Sequence, residues 1–247
     1  MLKMLPRNKP CEIPRHIAVI MDGNRRWARQ RGLPIIAGHY AGAKRIRSIV
    51  QSCDALGVQF LTVFAFSTEN WKRSQPEVSV LLGLLRRYLK VDAKDLGRHG
   101  MRLKIIGDQS RFDERTQNLI RSVQDATQNN TGLTLIIAVN YGGRSDIVQA
   151  GKAWHAAHPA LGFDAMTEAD LSAHIGLGIA PALQLLIRTG GESRLSNFML
   201  WQVAHAEIFF CDCFWPDFSE IDLHQAIDHF RAVKARGQIF PTKTLAA

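Results

Sequence analysis

The stretch His16-Ile17-Ala18-Val19-Ile20-Met21-Asp22-Gly23-Asn24-Arg25-Arg26-Trp27 decides how the rest of the chain is read. After His16 it holds five consecutive apolar residues. A continuously apolar run suits a strand covered on both faces, and therefore a mostly parallel sheet. The run stops abruptly at Asp22-Gly23-Asn24-Arg25-Arg26 and then enters a helix pattern. Glycine lets a ligand approach the backbone closely. A helix start offers free N–H groups to an anion, and the two arginines add charge. Asp22 has the wrong sign for a phosphate partner unless a hard cation lies between them. Mg2+ typically takes one or two carboxylates plus phosphate oxygens. A plainer alternative stays open: a strand-to-helix turn with Asp22 or Asn24 as its N-cap.

Five further runs of similar character follow: Phe60–Phe66, Arg102–Ile106, Leu133–Val139, Leu185–Arg188 and Glu207–Phe210. Helical patterns separate them. In His39–Leu56, Ala43, Ile46, Val50 and Cys53 recur three and four apart, opposite Lys44, Arg45 and Arg47. Ser74-Gln75-Pro76-Glu77 has the form of a capping box with proline in the first turn. Val78, Leu81, Leu82, Leu85, Tyr88 and Leu89 then form a stripe, and Gly97 and Gly100 offer stops. Further helices are expected near Arg111–Gln128, Gly143–His155, Arg194–Ala204 and Ser219–Arg236. Alternation of this kind predicts an α/β fold: a central, mostly parallel six-stranded sheet flanked by helices. In such sheets ligands bind outside the carboxyl ends of the strands.

The 247 residues, 46% of them hydrophobic, suit one domain. We place it at residues 16–237, between a flexible N-terminal extension, 1–15, and a tail, 238–247. The net charge of +9 favours a polyanion without choosing among nucleic acid, anionic lipid and phosphorylated substrates. Cys11, Cys53, Cys211 and Cys213 form no C-x-x-C pair and read as free thiols. Cys211 and Cys213 are expected to face opposite sides of a strand end. No apolar run approaches the roughly 18 residues of a membrane span, and Met1–Pro10 lacks a signal peptide's apolar stretch. A cytoplasmic protein is expected.

Two more strand ends carry phosphate-suited groups. Phe60–Phe66 runs into Ser67-Thr68-Glu69-Asn70-Trp71-Lys72-Arg73, where Ser67 and Asn70 can hydrogen-bond a diphosphate and Arg73 can grip it. Leu185–Arg188 runs into Thr189-Gly190-Gly191-Glu192-Ser193-Arg194-Leu195-Ser196, two glycines bracketed by two arginines with Ser196 at an expected helix start. Neither G-x-x-x-x-G-K-[ST] nor G-x-G-x-x-G occurs, so a nucleotide site is unsupported. The basic residues form no stripe with interleaved aromatics, which argues against nucleic acid.

These segments together resemble the cis-prenyltransferase family of the undecaprenyl diphosphate synthase kind. His16–Ala28 looks like its first signature, followed by Gly38-His39-x-x-Gly42. Phe64–Arg73 resembles the second and Asn140–Arg144 the third. Ile187–Asn197, Trp201-Gln202, Ala206-Glu207-Ile208 and Trp215–Phe218 resemble the last. The resemblance implies a homodimeric enzyme that condenses isopentenyl diphosphate onto an allylic diphosphate, farnesyl diphosphate for a long product. It also implies an apolar tunnel between the helices His39–Leu56 and Val78–Leu96. It assigns Mg2+ to Asp22 and Glu207, with Asp22 and Asn70 catalytic. Gly23, Asn24, Arg25, Arg26, Trp27 and His39 would hold the allylic diphosphate. Arg188, Arg194, Leu195 and Ser196 would hold isopentenyl diphosphate. Ser67, Thr68, Glu69, Trp71 and Arg73 would order the loop between them. Asn70 matches a position proposed as proton acceptor, but a neutral amide is a poor base and positioning is chemically safer. Ala65 is small where a tunnel wall is expected, which favours a product of C55 length. Peripheral contact with the inner face of a membrane follows from so apolar a product. The chain departs from the family pattern at Ile35, Gln184, Ser193 and Arg236-Gly237. A short-chain or branching enzyme, or a non-catalytic partner subunit, is the alternative.

Overall fold

A computed structural model of the chain describes residues 12–177 and 180–237. Six strands form one sheet: β1 (His16–Ile20), β2 (Phe60–Ser67), β3 (Arg102–Ile106), β4 (Thr134–Tyr141), β5 (Leu185–Arg188) and β6 (Glu207–Phe210). Their order is β3-β4-β2-β1-β5-β6, and every pairing is parallel. The expected "mostly parallel" sheet is therefore wholly parallel among the described residues. β1 and β4 are buried at every position, as their unbroken apolar runs require.

The helices are α1 (Asn24–Gln30), α2 (Ile35–Ala55), α3 (Gln75–Lys90), α4 (Asp92–Arg98), α5 (Glu114–Thr127), α6 (Gly143–Ala157), α7 (Glu168–His174) and α8 (Glu220–Ala235). Strand alternation divides the core in two. Ile17, Val19, Leu61, Val63, Leu135 and Ile137 pack with Ile49, Val50, Leu89, Ile120, Leu223 and Phe230 of the helices on one face. Ala18, Ile20, Ile136, Ala138 and Leu186 pack on the other face with Phe198, Met199 and Val203. A small third cluster joins α6 to α7.

Several expectations change. The stripe expected to run on toward Gly97 is two helices, α3 and α4, joined at Val91. The capping box at Ser74 does not form, because Glu77 is drawn away by His39 and Arg73. No α-helix spans Arg194–Ala204. Ser196, Asn197 and Met199 take positive φ angles of 49°, 61° and 46°, and only a short 3-10 turn, Gln202–His205, follows. Residues 12–15 of the supposed flexible extension are tied down. The Arg15 N–H donates to Gln184 and its guanidinium to Gln59, while Lys234 pairs with Glu12. Residues 1–11 and 238–247, with Cys11, lie outside the described residues. Cys211 and Cys213 do not face apart: the strand stops at Phe210, and both sulfurs turn toward Asp222 of α8.

Candidate active site

The carboxyl ends of β1, β2 and β5 surround one polar cavity of about 770 Å³. Its wall carries six arginines (Arg25, Arg26, Arg29, Arg73, Arg188 and Arg194) against three carboxylates, Asp22, Glu69 and Glu192. A concave site with that excess of positive charge suits a polyanionic ligand.

Asp22 sits at the centre. Its Oδ1 accepts from the Gly23 N–H at 2.6 Å and lies 3.4 Å from Arg26, and its Oδ2 accepts from Arg188 at 2.9 Å. The Asp22 main chain exchanges two hydrogen bonds with the Thr189 hydroxyl, at 3.0 and 2.8 Å, which locks the ends of β1 and β5 together. Gly23 caps α1 with φ of 104°, and a Cβ there would stand 2.6 Å from the Phe214 ring. Both facts call for glycine. Neither Asp22 nor Asn24 caps α1 by its side chain.

Arg188 is 3% exposed. Besides Asp22 it reaches the Arg194 carbonyl and the Ser196 hydroxyl at 2.7 Å, and its Nε is buried without a partner. The Gly190 and Gly191 amides donate to the carbonyls of Cys213 and Cys211 at 2.7 and 2.9 Å. Both glycines have positive φ, as this reversal requires. Glu192 pairs with Arg26 and Arg194. Asn197 joins three loops: its amide donates to Glu69 at 3.0 Å and its oxygen accepts from the Arg144 N–H at 2.9 Å.

Arg73 also belongs to an ionic cluster centred on the buried Glu77 and His39. Glu77 Oε1 accepts from Arg73 at 2.8 Å and His39 at 3.1 Å, with Arg25 at 3.8 Å. Burial lowers the His39 pKa, and the hydrogen bond to Glu77 opposes this without overcoming it. For Glu77, burial works upward but is outweighed by the His39 bond and by Arg73 and Arg25, so its pKa is lowered. Both directions describe a neutral imidazole donating to an ionised carboxylate.

Of the residues expected at a substrate site, Asp22, Gly23, Asn24, Arg25, Arg26, His39, Ser67, Glu69, Asn70, Arg73, Arg188, Arg194 and Ser196 line the cavity. Trp27, Thr68, Trp71 and Leu195 do not. Trp27 hydrogen-bonds Asp217, and its ring carries Arg31. Trp71 donates to Asn140 and packs edge-on against Phe66. Leu195 joins the apolar cluster of Phe198 and Met199. Glu207 is not among the residues that line the cavity with Asp22. It opens β6, three residues before the Phe210 that pairs with Arg188, and its carboxylate holds His229 at 2.7 Å. Asn70 turns its amide oxygen onto the Ser67 N–H at 3.1 Å, a loop-closing bond. Sequence reasoning missed Arg29, Glu77, Glu192 and Asn197. The signal for Glu77 was there, but it read as a helix cap.

An apolar pocket adjoins the polar cavity and shares Met21, Asn24, His39, Ala65 and Leu81 with it. Its walls come from α2 (Ala43, Ile46), α3 (Leu81, Leu82, Leu85) and β4 (Ile137, Val139). It measures about 80 Å³, so the tunnel expected between these helices is not seen at that length here.

The undecaprenyl diphosphate synthase family model of prenyltransferases matches residues 20–237. The isoprenyl transferase of Neisseria gonorrhoeae is 50% identical over 224 residues, covering 91% of this chain and 89% of that one. The Vibrio vulnificus ditrans,polycis-undecaprenyl-diphosphate synthase, (2E,6E)-farnesyl-diphosphate specific, is 46% identical over 220 residues, 88% of each chain. Among solved structures, lavandulyl diphosphate synthase from Lavandula x intermedia, in complex with dimethylallyl diphosphate, is 38% identical. It superposes with a TM-score of 0.84 over 89% of this chain and 95% of that one. With its wholly parallel sheet and arginine-walled cavity at the strand ends, the chain belongs to the undecaprenyl diphosphate synthase family of cis-prenyltransferases.

Proposed function

We propose that the chain extends farnesyl diphosphate by successive condensation with isopentenyl diphosphate, to a product of about C55 length. The observation that carries this is the junction of six arginines with an apolar pocket through shared wall residues. A diphosphate ester with a hydrocarbon tail needs both. Arg25, Arg26 and Arg73, backed by Glu77 and His39, would hold the diphosphate of the allylic substrate. Arg188, Arg194 and Ser196 would hold that of isopentenyl diphosphate. Fixed positive charge aimed at a departing diphosphate stabilises the transition state. Asn70 closes the β2 loop between the two and acts by position. Shielding from water matters, since an allylic cation is otherwise quenched.

Asp22 fits a magnesium site: one hard carboxylate oxygen donor at the cavity wall, among arginines that would bring diphosphate oxygens to the same place. When bound, Mg2+ would neutralise charge on the diphosphate. Glu207, which does not line that cavity, is left out of that donor set. Ala65 lines both cavities, so a growing chain would pass a small side chain. Leu81, Leu82 and Leu84 of α3 are only half-buried, and a prenyl chain would cover them.

Extraction of products from the full chain with farnesyl diphosphate, labelled isopentenyl diphosphate and Mg2+, beside Asp22→Ala, tests the reading. Long polyprenyl product that is lost in the variant is expected. Only C15 or C20 products would overturn the long chain length. The likeness to lavandulyl diphosphate synthase favours a second reading, a branching condensation, which would give C10 product from dimethylallyl diphosphate alone. A homodimer and peripheral contact at the inner face of the membrane belong to the same proposal. The first is supported by the position of β6 at the sheet's edge among the described residues, with Phe210 exposed, the second by the product's apolarity. No helix among the described residues is long and apolar enough to cross a membrane. Equilibrium sedimentation and vesicle flotation test the two.

A further inference from the structure

β6 runs directly into Cys211-Asp212-Cys213. Both sulfurs and a carboxylate oxygen of Asp222 lie within 4.8 Å of one another. All three residues are half-buried. Asp222 is held in place: its Oδ2 accepts from the Ser219 N–H at 2.7 Å and the Ser219 hydroxyl at 2.6 Å, closing the capping box of α8. Such outer bonds orient a ligating carboxylate. We propose that Cys211, Cys213 and Asp222 form a binding site for a borderline-to-soft d10 cation, Zn2+ by donor chemistry, separate from the diphosphate cavity.

Two thiolates and one carboxylate select such an ion over a hard one like Mg2+. Zn–S bonds of about 2.3 Å and Zn–O bonds of about 2.0–2.2 Å bring tetrahedral donors to roughly 3.5–3.8 Å from each other. The observed cluster is near that size before any ion pulls it together. Three protein donors leave the fourth position for water. Coordination displaces both thiol protons to solvent, and the site then carries one net negative charge.

The site is placed to matter. The carbonyls of Cys211 and Cys213 receive the Gly191 and Gly190 amides, and the Trp215 N–H donates to the Asp22 carbonyl at 2.9 Å. An ion joining this loop to α8 therefore clamps the segment on which the Arg188–Arg194 loop and Asp22 rest.

The test is a Cd2+ titration of the reduced, full-length chain, followed by thiolate-to-cadmium charge-transfer absorption, with Zn2+ as competitor. The expected result is a band that saturates at one ion per chain and is displaced by Zn2+. It persists in Asp22→Ala and in Cys11→Ser, and is lost in Cys211→Ser and Cys213→Ser. Asp222→Asn keeps an oxygen for the helix cap but loses the anionic donor, so the band survives with affinity weakened on the order of 10–100-fold. Circular dichroism of each variant separates lost ligation from lost folding. Absence of the band in folded protein would overturn the site. So would a band that survives both cysteine variants, or one that saturates at half an ion per chain.

Discussion

Arg188 shows how much one side chain can be asked to do. It is nearly inaccessible, yet it carries a full charge, and its partners are Asp22, the Arg194 carbonyl and Ser196. Arg188→Met keeps much of the volume and removes the donors, leaving Asp22 without its shorter ion pair. We expect kcat/KM for isopentenyl diphosphate to fall on the order of 100- to 1,000-fold, measured by steady-state kinetics at saturating primer. Arg188→Lys should recover little, since a single ammonium cannot serve three acceptors in a fixed fork. Glu77 acts at one remove. Glu77→Gln leaves His39 and Arg73 without their anionic partner, so KM for the allylic substrate should rise more than kcat falls. An unchanged KM would mean the cluster only holds α2 to α3. The arginines at strand ends were legible because charge beside glycine after an apolar run has few other uses. Glu77 was not, because its spacing from Ser74 satisfied a local rule that tertiary contacts override. Trp27 and Trp71 sit inside the motifs but outside the cavity wall, bonded to Asp217 and Asn140, a distinction that spacing cannot make.

At the scale of elements, all six strands were legible, since a sheet buried on both faces leaves continuous apolar runs. α7 was not, being short and polar. Its signal was the Thr167–Asp170 capping box, which does form. The expected helix over 194–204 failed for a physical reason. Asn197 bonds Glu69 and the Arg144 N–H, and Arg188 holds the Arg194 carbonyl, so the segment's polar groups are committed across the site rather than along a helix. The turn after β1 is equally committed. Gly23→Ala meets the Phe214 ring and an unfavourable φ together, and should destabilise the chain by about 2–4 kcal/mol with loss of activity. Gly57→Ala is the control: φ is 84°, but nothing lies within 4 Å of the added carbon. Its cost should be about 1–2 kcal/mol, with activity kept. Urea denaturation of the two variants measures both.

At the scale of the whole molecule, His16 links stability to pH. It is fully buried, its Nδ1–H donates to the Pro181 carbonyl at 3.0 Å, its Nε2 accepts from the Thr62 hydroxyl at 2.8 Å, and burial lowers its pKa to about 4. The unfolded chain binds a proton near pH 6.5 that the folded chain refuses until about pH 4. The unfolded state therefore holds more protons in that window, and stability rises with pH. The stabilisation is complete above pH 6.5 and falls by roughly 3 kcal/mol as the pH drops toward 4. His39, also lowered, contributes with the same sign. The urea midpoint should fall across this range, and His16→Gln should flatten part of the slope.

The strand order carries a further consequence. β1 lies between β2 and β5, and β5 comes some 165 residues later in the chain. Until Leu185–Arg188 leaves the ribosome, one edge of β1 has no neighbour and Asp22 has no Arg188. Pairings so distant along the chain fold slowly and leave apolar edges open to aggregation in the interval. Birth of this enzyme on the ribosome is therefore its most exposed moment: a nascent chain stalled before residue 185 presents a bare parallel edge, and catalytic competence waits for β5 to bring Arg188 to Asp22.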